Sequence, residues 1–275
     1  MNEYNIQKSR WHQEAVANPP QPEDFTSRLS FALASSVSAD HSQRKAEIGS
    51  GGCQVAIKYV SKDLIDEQLE VEGQSLMPIE VALMICVNSD PACPNILPLI
   101  EWFETPTQYI MILERPDPCQ DLNKFCYEQG NLDENQAKRV VVQLISALKH
   151  CESKGVLHRD VKPQNTLIHK DRLDIKLLYF GCGDLLKDSD YKMFAGTLDY
   201  FPPEWYRFRR YRAGPATVCS VGVTLYNILC GTLPFKTRND IIRGRLRFTR
   251  DLSMEAHFLF RPLLGFKSNT NLLKR

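Results

Sequence analysis

The 275-residue sequence lacks the cysteine spacing of a metal site or of a disulfide framework. Its nine cysteines are odd in number and scattered, and no two of them form a Cys-x-x-Cys pair. Zinc sites and small disulfide-stabilised domains usually show such pairs or an even set of cysteines. We therefore expect reduced thiols and a protein of the cytoplasm or the nucleus.

A large excess of one charge is also absent. Lys and Arg together number 34 and Asp and Glu 33, so the formal net charge is +1. Such a chain has no overall basic field to hold nucleic acid by counterion release. The stretch 207–212 interleaves four arginines with Phe208 and Tyr211, which could suit RNA, although a solvated surface loop is the simpler interpretation. We expect no nucleic-acid partner.

Long apolar runs and internal repeats are missing as well. Residues 1–11 are polar, and the most apolar run, 218–230, is too short and too interrupted to span a bilayer. No period of about 20 to 50 residues marks a repeat protein. With 43% hydrophobic and 24% charged residues, the composition predicts a soluble globular protein with no membrane partner.

The first half of the chain reads as a polar tail followed by a β-rich region. Residues 1–44 contain prolines and a Ser/Ala-rich stretch without a helical or strand period, which predicts a flexible tail. Further on, β-rich runs predict strands at 55–60, 96–103 and 108–113. Pro78 precedes a mostly apolar helix in this region.

The second half reads as mainly helical. Behind Asp133, a typical N-cap residue, apolar residues recur every three or four positions and predict a helix that ends near residue 154. Two short strand-like pieces at 166–168 and 175–178 follow, and then an apolar helix from about 216 to 230. The pattern predicts an α+β protein with a small β-rich lobe and a larger helical lobe.

The most specific motif is His-Arg-Asp-Val-Lys-Pro-Gln-Asn at 158–165. It resembles the catalytic loop of eukaryotic protein kinases, whose pattern is H-R-D followed by an asparagine. A carboxylate such as Asp160 can orient a substrate hydroxyl and accept its proton, and Lys162 can neutralise a phosphoryl group in transfer. Asn165 offers a hard oxygen to Mg²⁺. The alternative is a polar loop whose side chains merely brace one another.

Other kinase-like motifs follow the expected order along the chain. Lys58 ends a Val-Ala-Ile-Lys string like that of the lysine that contacts ATP phosphates, and Glu80 on the next helix matches its ion-pair partner. Gly196-Thr197 and the Pro-Pro-Glu string ending at Glu204 resemble the end of the activation segment, where Thr197 would bond to Asp160. Taken alone, a lysine on a strand or a glutamate on a helix is usually a surface charge.

Among kinases, the chain resembles the PIM family of serine/threonine kinases. The resemblance rests on Leu-Glu-Arg-Pro-Asp-Pro at 113–118, Gln-Asp-Leu at 120–122, His-Cys at 150–151, Gly-Val-Leu at 155–157, Pro-Glu-Trp at 203–205 and Arg-Tyr at 210–211. Pro116 has no N–H to hold adenine, so the resemblance leaves the Glu114 carbonyl as the main hinge acceptor.

The resemblance implies a two-lobed protein kinase fold with a shortened N-lobe. It places the N-lobe at about 45–114, the C-lobe at about 117–256, and a divergent tail at 257–275. It implies a monomer that transfers the γ-phosphoryl group of ATP, with Mg²⁺, to Ser or Thr of protein substrates. The implied catalytic residues are Asp160, Lys162, Asn165 and Thr197, with Asn165 also the metal ligand. The implied nucleotide-binding residues are Ile48, Gly49, Gly51, Gly52, Ala56, Lys58, Glu80, Glu114 and Leu167.

Two departures from the family pattern affect nucleotide and metal binding. Tyr179 stands where the metal-binding aspartate of Asp-Phe-Gly belongs, and a phenol is a poor ligand for Mg²⁺. Asp184 could in principle substitute, although a solvated loop charge is the simpler interpretation. Gln54 replaces the third glycine of the phosphate loop, and only five residues separate Gly52 from Lys58. Five residues span roughly 20 Å at most, so the sequence predicts that one N-lobe strand is missing.

Further departures concern the end of the domain and the substrate. Phe-Thr-Arg at 248–250 still fits the family, but the sequence from His257 does not, so Glu204 would lack its arginine partner. PIM-like kinases favour basic peptides, yet Lys124, Pro163 and Gln164 stand where acids are expected. These departures favour an alternative, a pseudokinase that keeps the fold as a binding or scaffold module.

Overall fold

The structure is a computed structural model that describes residues 43–48, 53–64, 68–70 and 76–265. Residues 1–42 of the predicted tail and the three glycines at 49, 51 and 52 lie outside the described residues. The prediction that the tail extends to residue 44 is wrong at its end, because residues 43 and 44 pair in a strand, Gln43–Ile48. The described chain forms two compact units, one of residues 43–64 with 98–116 and the other of residues 68–97 with 117–265.

The strands and helices are numbered separately in chain order. The strands are β1 (Gln43–Ile48), β2 (Cys53–Ser61), β3 (Gln68–Leu69), β4 (Met77–Pro78), β5 (Leu99–Glu104), β6 (Gln108–Glu114), β7 (Cys119–Asp121), β8 (Val156–Leu157), β9 (Thr166–His169), β10 (Ile175–Leu177) and β11 (Asp184–Leu185). The α-helices are α1 (Ile79–Asn88), α2 (Leu122–Gln129), α3 (Glu134–Ser153), α4 (Pro203–Phe208), α5 (Ala213–Cys230), α6 (Arg238–Arg243) and α7 (Met254–Leu263).

The first unit is an antiparallel sheet whose described strands run in the order β1-β2-β6-β5. Because side chains alternate along a strand, Val55 and Ile57 of β2 are buried with Ile110 and Ile112 of β6 on one face. Lys58 lies on the other face and pairs with Met111 across the strands. The Lys58 strand pairs directly with β1, so the described sheet has four strands, which agrees with the predicted loss of one.

The second unit is mainly helical, and α3 and α5 form its centre. A capping box between Asp133 and Gln136 starts α3, in agreement with the predicted N-cap. The buried stripe of α3 packs against α5, which is buried along most of its length. A small sheet, β10-β9-β7, and the strand pair β11-β8 support the loops between these helices.

The length of α5 differs from the sequence prediction. The helix covers 18 residues, so by length and composition it could cross a membrane, whereas the sequence alone predicts an apolar run that is too short. Of this window 61% is buried inside the protein, which is typical of a core helix. The helix was predicted from about residue 216, and residues 213–215 extend it at its N-terminus, because they are compatible with a first helical turn although they are not strongly apolar.

The last helix replaces part of the predicted tail. The sequence predicts a divergent tail from 257, but α7 runs through this position to Leu263 and packs against α5. Ser253 caps its N-terminus by accepting a hydrogen bond from the Ala256 amide, and Phe260 is fully buried beside Tyr226. The cap at Ser253 and the buried ring of Phe260 stabilise this helix although its sequence diverges from the family.

The units do not coincide with the predicted lobes. The helix α1 and the residues up to Leu97 group with the helical unit, although the predicted N-lobe runs from 45 to 114. Six of the ten residues in α1 are buried, so the helix is held mainly by packing. Strand β5 starts at Leu99 instead of at Ile96, because Ile96 forms a bridge with Leu177 in the helical unit.

Candidate active site

The loop at 158–165 follows β8 and ends in a 3-10 turn, Pro163–Asn165, that leads into β9. His158 is buried, and its Nε2 lies 3.0 Å from the Leu178 carbonyl while its Nδ1 accepts from the Asp160 amide at 3.2 Å. Burial lowers the pKa of His158, so the ring is neutral and donates through Nε2. The histidine therefore fixes the backbone of the loop.

Asp160 lies at the centre of a network of four side chains. Its Oδ1 accepts from the Thr197 hydroxyl at 2.6 Å, and its Oδ2 accepts from the Asn165 amide at 2.7 Å. The Lys162 ammonium lies 2.9 Å from Oδ2 and donates to the Thr197 hydroxyl at 2.7 Å. The structure therefore brings together all four residues predicted to be catalytic, with the other three each bonded directly to Asp160.

The network sets the protonation state of Asp160. Burial alone would raise the pKa of this carboxyl group, but hydrogen bonds from Thr197, Lys162 and Asn165 and the lysine charge outweigh burial and lower it. The carboxylate is therefore ionised at neutral pH. A buried, ionised carboxylate beside a lysine can orient a hydroxyl group and take up its proton as a bond to oxygen forms.

Gly196 permits the contact between the loop and Thr197. Its φ is +108°, a region that side chains rarely adopt, and a Cβ atom there would lie 2.4 Å from the Arg159 carbonyl oxygen. The same Cβ would lie 3.4 Å from Asp160 Oδ1. The glycine at this position therefore lets the segment carrying Thr197 approach the loop closely.

Arg159 connects the loop to the segment 182–184. Its Nε donates to the Cys182 carbonyl at 2.5 Å and its Nη2 to the Gly183 carbonyl at 2.6 Å, and Nη1 pairs with Asp184 at 3.3 Å. Asp184 also pairs with Lys187 at 3.3 Å. Of the two interpretations of Asp184, a substitute metal ligand or a loop charge, the structure favours the second, because its carboxylate lies in these ion pairs.

Tyr179 occupies the position of the missing aspartate with a φ of +64° and an exposed fraction of 36%. The next residue, Phe180, is fully buried and packs edge-on against His158 with ring centroids 4.8 Å apart. A Cβ at Gly181 would lie 3.4 Å from a carboxylate oxygen of Glu80, so that α1 side chain faces this segment. The backbone of the segment is thus held in place while residue 179 faces a cavity.

The donors near this cavity do not form a complete magnesium site. No group of three or more His, Cys, Asp or Glu side chains in the described residues could hold a metal ion. Asn165 uses its amide nitrogen on Asp160, which leaves its carbonyl oxygen for a cation, and Asp160 is already occupied by three donors. Because Tyr179 supplies no carboxylate, the described residues provide only part of the donor set that Mg²⁺ prefers, with the Asn165 carbonyl oxygen as one donor.

The predicted nucleotide-binding residues fall on both units. Lys58 and Ala56 lie on one face of β2, Ile48 is the last residue of β1, and the Glu114 amide at the end of β6 donates to the Pro98 carbonyl at 3.0 Å. The other unit carries Glu80 on α1 and Leu167 on β9. These assignments remain predictions, and those for Gly49, Gly51 and Gly52 fall outside the described residues.

Glu204 at the start of α4 makes no ion pair within the described part of the chain. Burial raises the pKa of its carboxyl group, and the charge of Arg207 offsets this only in part. Arg250 donates instead to the carbonyls of Leu132 at 2.9 Å and Leu229 at 3.1 Å. Within the described residues, the Arg250 guanidinium is thus used on backbone carbonyls, and the partner of Glu204 stays a prediction.

A cavity of about 890 Å³ opens beside the Asp160 network within the helical unit. Three of the predicted catalytic residues, Lys162, Asn165 and Thr197, line it together with Tyr179. Sequence reasoning missed several lining residues, because they come from separate elements and carry no local motif. They are Asn123, Asp199, Tyr200, Asn227, Gly231, Thr232 and Leu233.

Comparison with known proteins places this geometry in a family. Residues 44–262 match the family model described as "Protein kinase domain". The chain is 40% identical over 223 residues to "Serine/threonine-protein kinase pim-2" of Danio rerio, covering 79% of this chain and 72% of that relative. It is 32% identical over 239 residues to "Serine/threonine-protein kinase prk-2" of Caenorhabditis elegans, covering 81% of this chain and 53% of that protein.

A more distant similarity points the same way. The yeast protein "Serine/threonine-protein kinase PSK1" of Saccharomyces cerevisiae is 29% identical over 219 residues, which cover 77% of this chain and 16% of that protein. The chain thus spans about half of the nematode protein and a small part of the yeast protein. The family model covers far more than half of the chain, and the loop at 158–165 lies inside it. This chain belongs to the protein kinase family and is similar to its PIM members.

Proposed function

We propose that this protein is a serine/threonine protein kinase that transfers the γ-phosphoryl group of ATP to a Ser or Thr hydroxyl of a protein substrate. The observation that carries the proposal is the contact of Asp160 with Lys162, Asn165 and Thr197 at 2.6 to 2.9 Å. The named relatives support it, since each is a serine/threonine kinase by name.

The proposed reaction assigns a task to each residue of the network. The acceptor hydroxyl oxygen attacks the γ-phosphorus, the bond between this phosphorus and the β,γ-bridging oxygen breaks, and ADP leaves with the bond's electron pair. Asp160 orients the hydroxyl and accepts its proton. Lys162 neutralises part of the charge on the phosphoryl oxygens, and Thr197 holds both side chains in position.

Protein kinases in general use ATP and a divalent metal ion. For this chain we propose ATP as the donor, with Lys58, Glu80 and Glu114 among its binding residues. We propose that a divalent ion such as Mg²⁺ binds weakly through Asn165, because Tyr179 contributes no carboxylate. Low affinity for the metal then predicts slow turnover.

The pseudokinase alternative gains no support from the relatives, all of which are named as kinases. The specific observation in its favour is the phenol at position 179, which lines the cavity where a carboxylate is expected. The Asp160 network argues for transfer, because a scaffold module has no need of three polar side chains that all bond to one buried carboxylate.

The proposed location, oligomeric state and partners of the protein are based on its composition. We propose that the protein acts as a monomer in the cytoplasm or the nucleus, on protein substrates, and without a nucleic-acid or membrane partner. The near-balanced charge and the scattered cysteines support this setting.

A radiolabel transfer assay with ATP and a Ser/Thr peptide tests the function. We expect slow transfer by the unmodified protein and a loss of about 10² to 10⁴ in rate for Asp160→Asn, the range that a positioned general base contributes. The variant keeps the size of the side chain. Thermal unfolding of both proteins checks that the fold survives.

Asp171 offers a matched control, since it is an exposed acid on the turn between β9 and β10. Asp171→Asn removes the same charge and should leave the transfer rate unchanged. Equal rates for Asp160→Asn and the unmodified protein would contradict the proposed role of Asp160. The absence of transfer by a folded protein that binds ATP would favour the pseudokinase.

A further inference from the structure

The cavity beside the Asp160 network carries charged residues that a bound peptide would meet. Among its lining residues are two acids, Asp121 and Asp199, and two lysines, Lys124 and Lys162. Asp160 is bonded to three residues of the lining, Lys162, Asn165 and Thr197, so an acceptor hydroxyl that reaches Asp160 brings its neighbouring residues into this cavity. Any selectivity of the cavity for peptides rests on the proposed function, because the acceptor peptide must then bind in this place.

Of these four charges, Lys162 is paired within the protein, and Asp121 uses one carboxylate oxygen as a helix cap. The Asp121 carboxylate caps α2 and accepts from the Lys124 amide at 2.8 Å. The Lys162 ammonium lies between Asp160 and Thr197. A peptide therefore meets the exposed Lys124 and Asp199, which come from different elements of the unit, and the half-buried Asp121 carboxylate at the start of α2.

The wall around Lys124 presents hydrogen-bond donors. Lys124 and Asn123 lie exposed in the first turn of α2, and Gln164 lies exposed in the 3-10 turn against which α2 packs. The side chain of Lys124 is 60% exposed, and its contact is a 3.7 Å pair with Glu128 one turn along the helix. Such an exposed pair holds a lysine only weakly, so Lys124 is available to an incoming anion.

We propose that this wall makes the kinase select acceptor peptides with an anionic side chain near the Ser or Thr. The ammonium of Lys124 pairs with the anion, and the amide groups of Asn123 and Gln164 donate hydrogen bonds to it. The basic-peptide preference implied by the PIM resemblance needs acids at positions where this chain has Lys124, Pro163 and Gln164. The selectivity of this chain is therefore reversed on this side of the cavity.

Binding of labelled peptides tests the selectivity without any need for turnover. The peptides carry alanine in place of the acceptor serine, and one residue within four positions on either side is set to glutamate, phosphoserine, lysine or glutamine. Fluorescence anisotropy at low salt measures each dissociation constant. At the best position we expect the glutamate peptide to bind about threefold more tightly than the glutamine peptide, as one exposed charge pair allows.

Charge reversal at Lys124 provides the decisive variant. Lys124→Glu should abolish the preference for the anionic peptides and turn it towards the lysine peptide. Lys138→Glu, a matched change at an exposed position of α3 outside the cavity lining, should leave the preference as it is. Thermal unfolding of both variants checks that the fold is kept.

The outcomes separate this inference from the proposed function. A preference of the unmodified protein for the lysine peptide, no preference at any position, or an equal effect of both lysine variants would overturn the selectivity. A stronger preference for phosphoserine than for glutamate would support it and indicate substrates that are already phosphorylated. Retained anion selectivity with no transfer to serine peptides would count against the proposed function alone.

Discussion

The loop at 158–165 and the segment 179–184 contact each other, but they differ in how closely they match the kinase pattern. The loop carries every chemical group of its motif, with Asp160, Lys162 and Asn165 in contact. The neighbouring segment has lost the metal-binding carboxylate and has Tyr179 in its place. Its packing residue Phe180 is nevertheless fully buried.

The difference follows from what each side chain does for the fold. Phe180 packs against His158, and Gly183 has no room for a Cβ, which would lie 3.0 Å from the Phe180 carbonyl oxygen and 3.1 Å from that of Leu157. Tyr179 is 36% exposed and lines the cavity. A residue that contributes little to packing can change without loss of the fold, whereas a change in the Asp160 network removes a hydrogen bond or an ion pair from a buried carboxylate.

Restoring the carboxylate should give the largest effect. We expect Tyr179→Asp to raise the rate of peptide phosphorylation about tenfold or more, because charge neutralisation dominates phosphoryl transfer. Aspartate also tolerates the φ of +64° better than tyrosine, so the melting temperature should not fall. The radiolabel assay at several Mg²⁺ concentrations and thermal unfolding measure both effects.

Tyr179→Asn is the matched control for this variant. Asparagine relieves the backbone as aspartate does but adds no charge, so its melting temperature should match that of Tyr179→Asp while its rate stays lower. Equal rates for the two variants would show that the carboxylate is not what the segment lacks. The short phosphate loop or the altered end of the domain would then be the deeper defect.

A methyl group at Gly196 should break the contact between the catalytic loop and Thr197. Gly196→Ala puts a Cβ at a φ of +108° and 2.4 Å from the Arg159 carbonyl oxygen, so we expect a loss of about 2 kcal/mol or more in the free energy of unfolding. Transfer should also fall, since Thr197 is displaced. Gly214 near the start of α5 is the control, because Gly214→Ala meets no atom within 4 Å and should stabilise the protein by about 0.5 kcal/mol.

The neutral state of His158 predicts a pH dependence of stability. Its pKa is lowered in the folded protein by burial, so the unfolded chain takes up a proton first as the pH falls below about 6.5. The free energy of unfolding should therefore decrease from pH 7 to pH 5.5, and His158→Asn should show a smaller decrease. Urea unfolding at these pH values measures the decrease in the free energy of unfolding for each protein. Equal decreases for the two proteins would mean that protonation of His158 does not destabilise the fold.

The smallest effect concerns Glu204. Burial raises the pKa of its carboxyl group, so this group favours the folded state below its unfolded pKa and loses that contribution as the pH rises through the folded pKa. Glu204→Gln should raise the melting temperature by roughly 1 °C at pH 7 and leave it unchanged at pH 4. Thermal unfolding at the two pH values measures the difference.

Glu134 is the control for Glu204, because its substitution should change the melting temperature at pH 7 in the opposite direction. Hydrogen bonds from Ser253 lower the pKa of Glu134, so Glu134→Gln should lower the melting temperature at pH 7 and have less effect at pH 4. The same direction of change for both variants would contradict this difference between the two glutamates.

Local sequence patterns predicted the helices and strands whose own residues favour that structure without help from distant contacts. The N-cap Asp133 and the apolar stripe of α3 appeared in the sequence, and so did the β-rich run 55–60 that forms most of β2. The helix α7 was missed because its stability comes from Phe260 in an aromatic cluster with Tyr226 and Phe248, which lie far apart in the sequence. The start of α5 was missed because its first turn is only weakly apolar.

The chemistry of the loop at 158–165 could be predicted from the sequence. The residue types and their spacing within one short loop already determine which groups can act together. The sequence alone also determined that no carboxylate stands at position 179. The resemblance to kinases also predicted the bond from Thr197 to Asp160, whereas only the tertiary structure decided that Arg159 ties the loop to the segment 182–184 and that Lys124 faces the same cavity. Such contacts join distant parts of the chain, and no local periodicity or propensity encodes the distance between them.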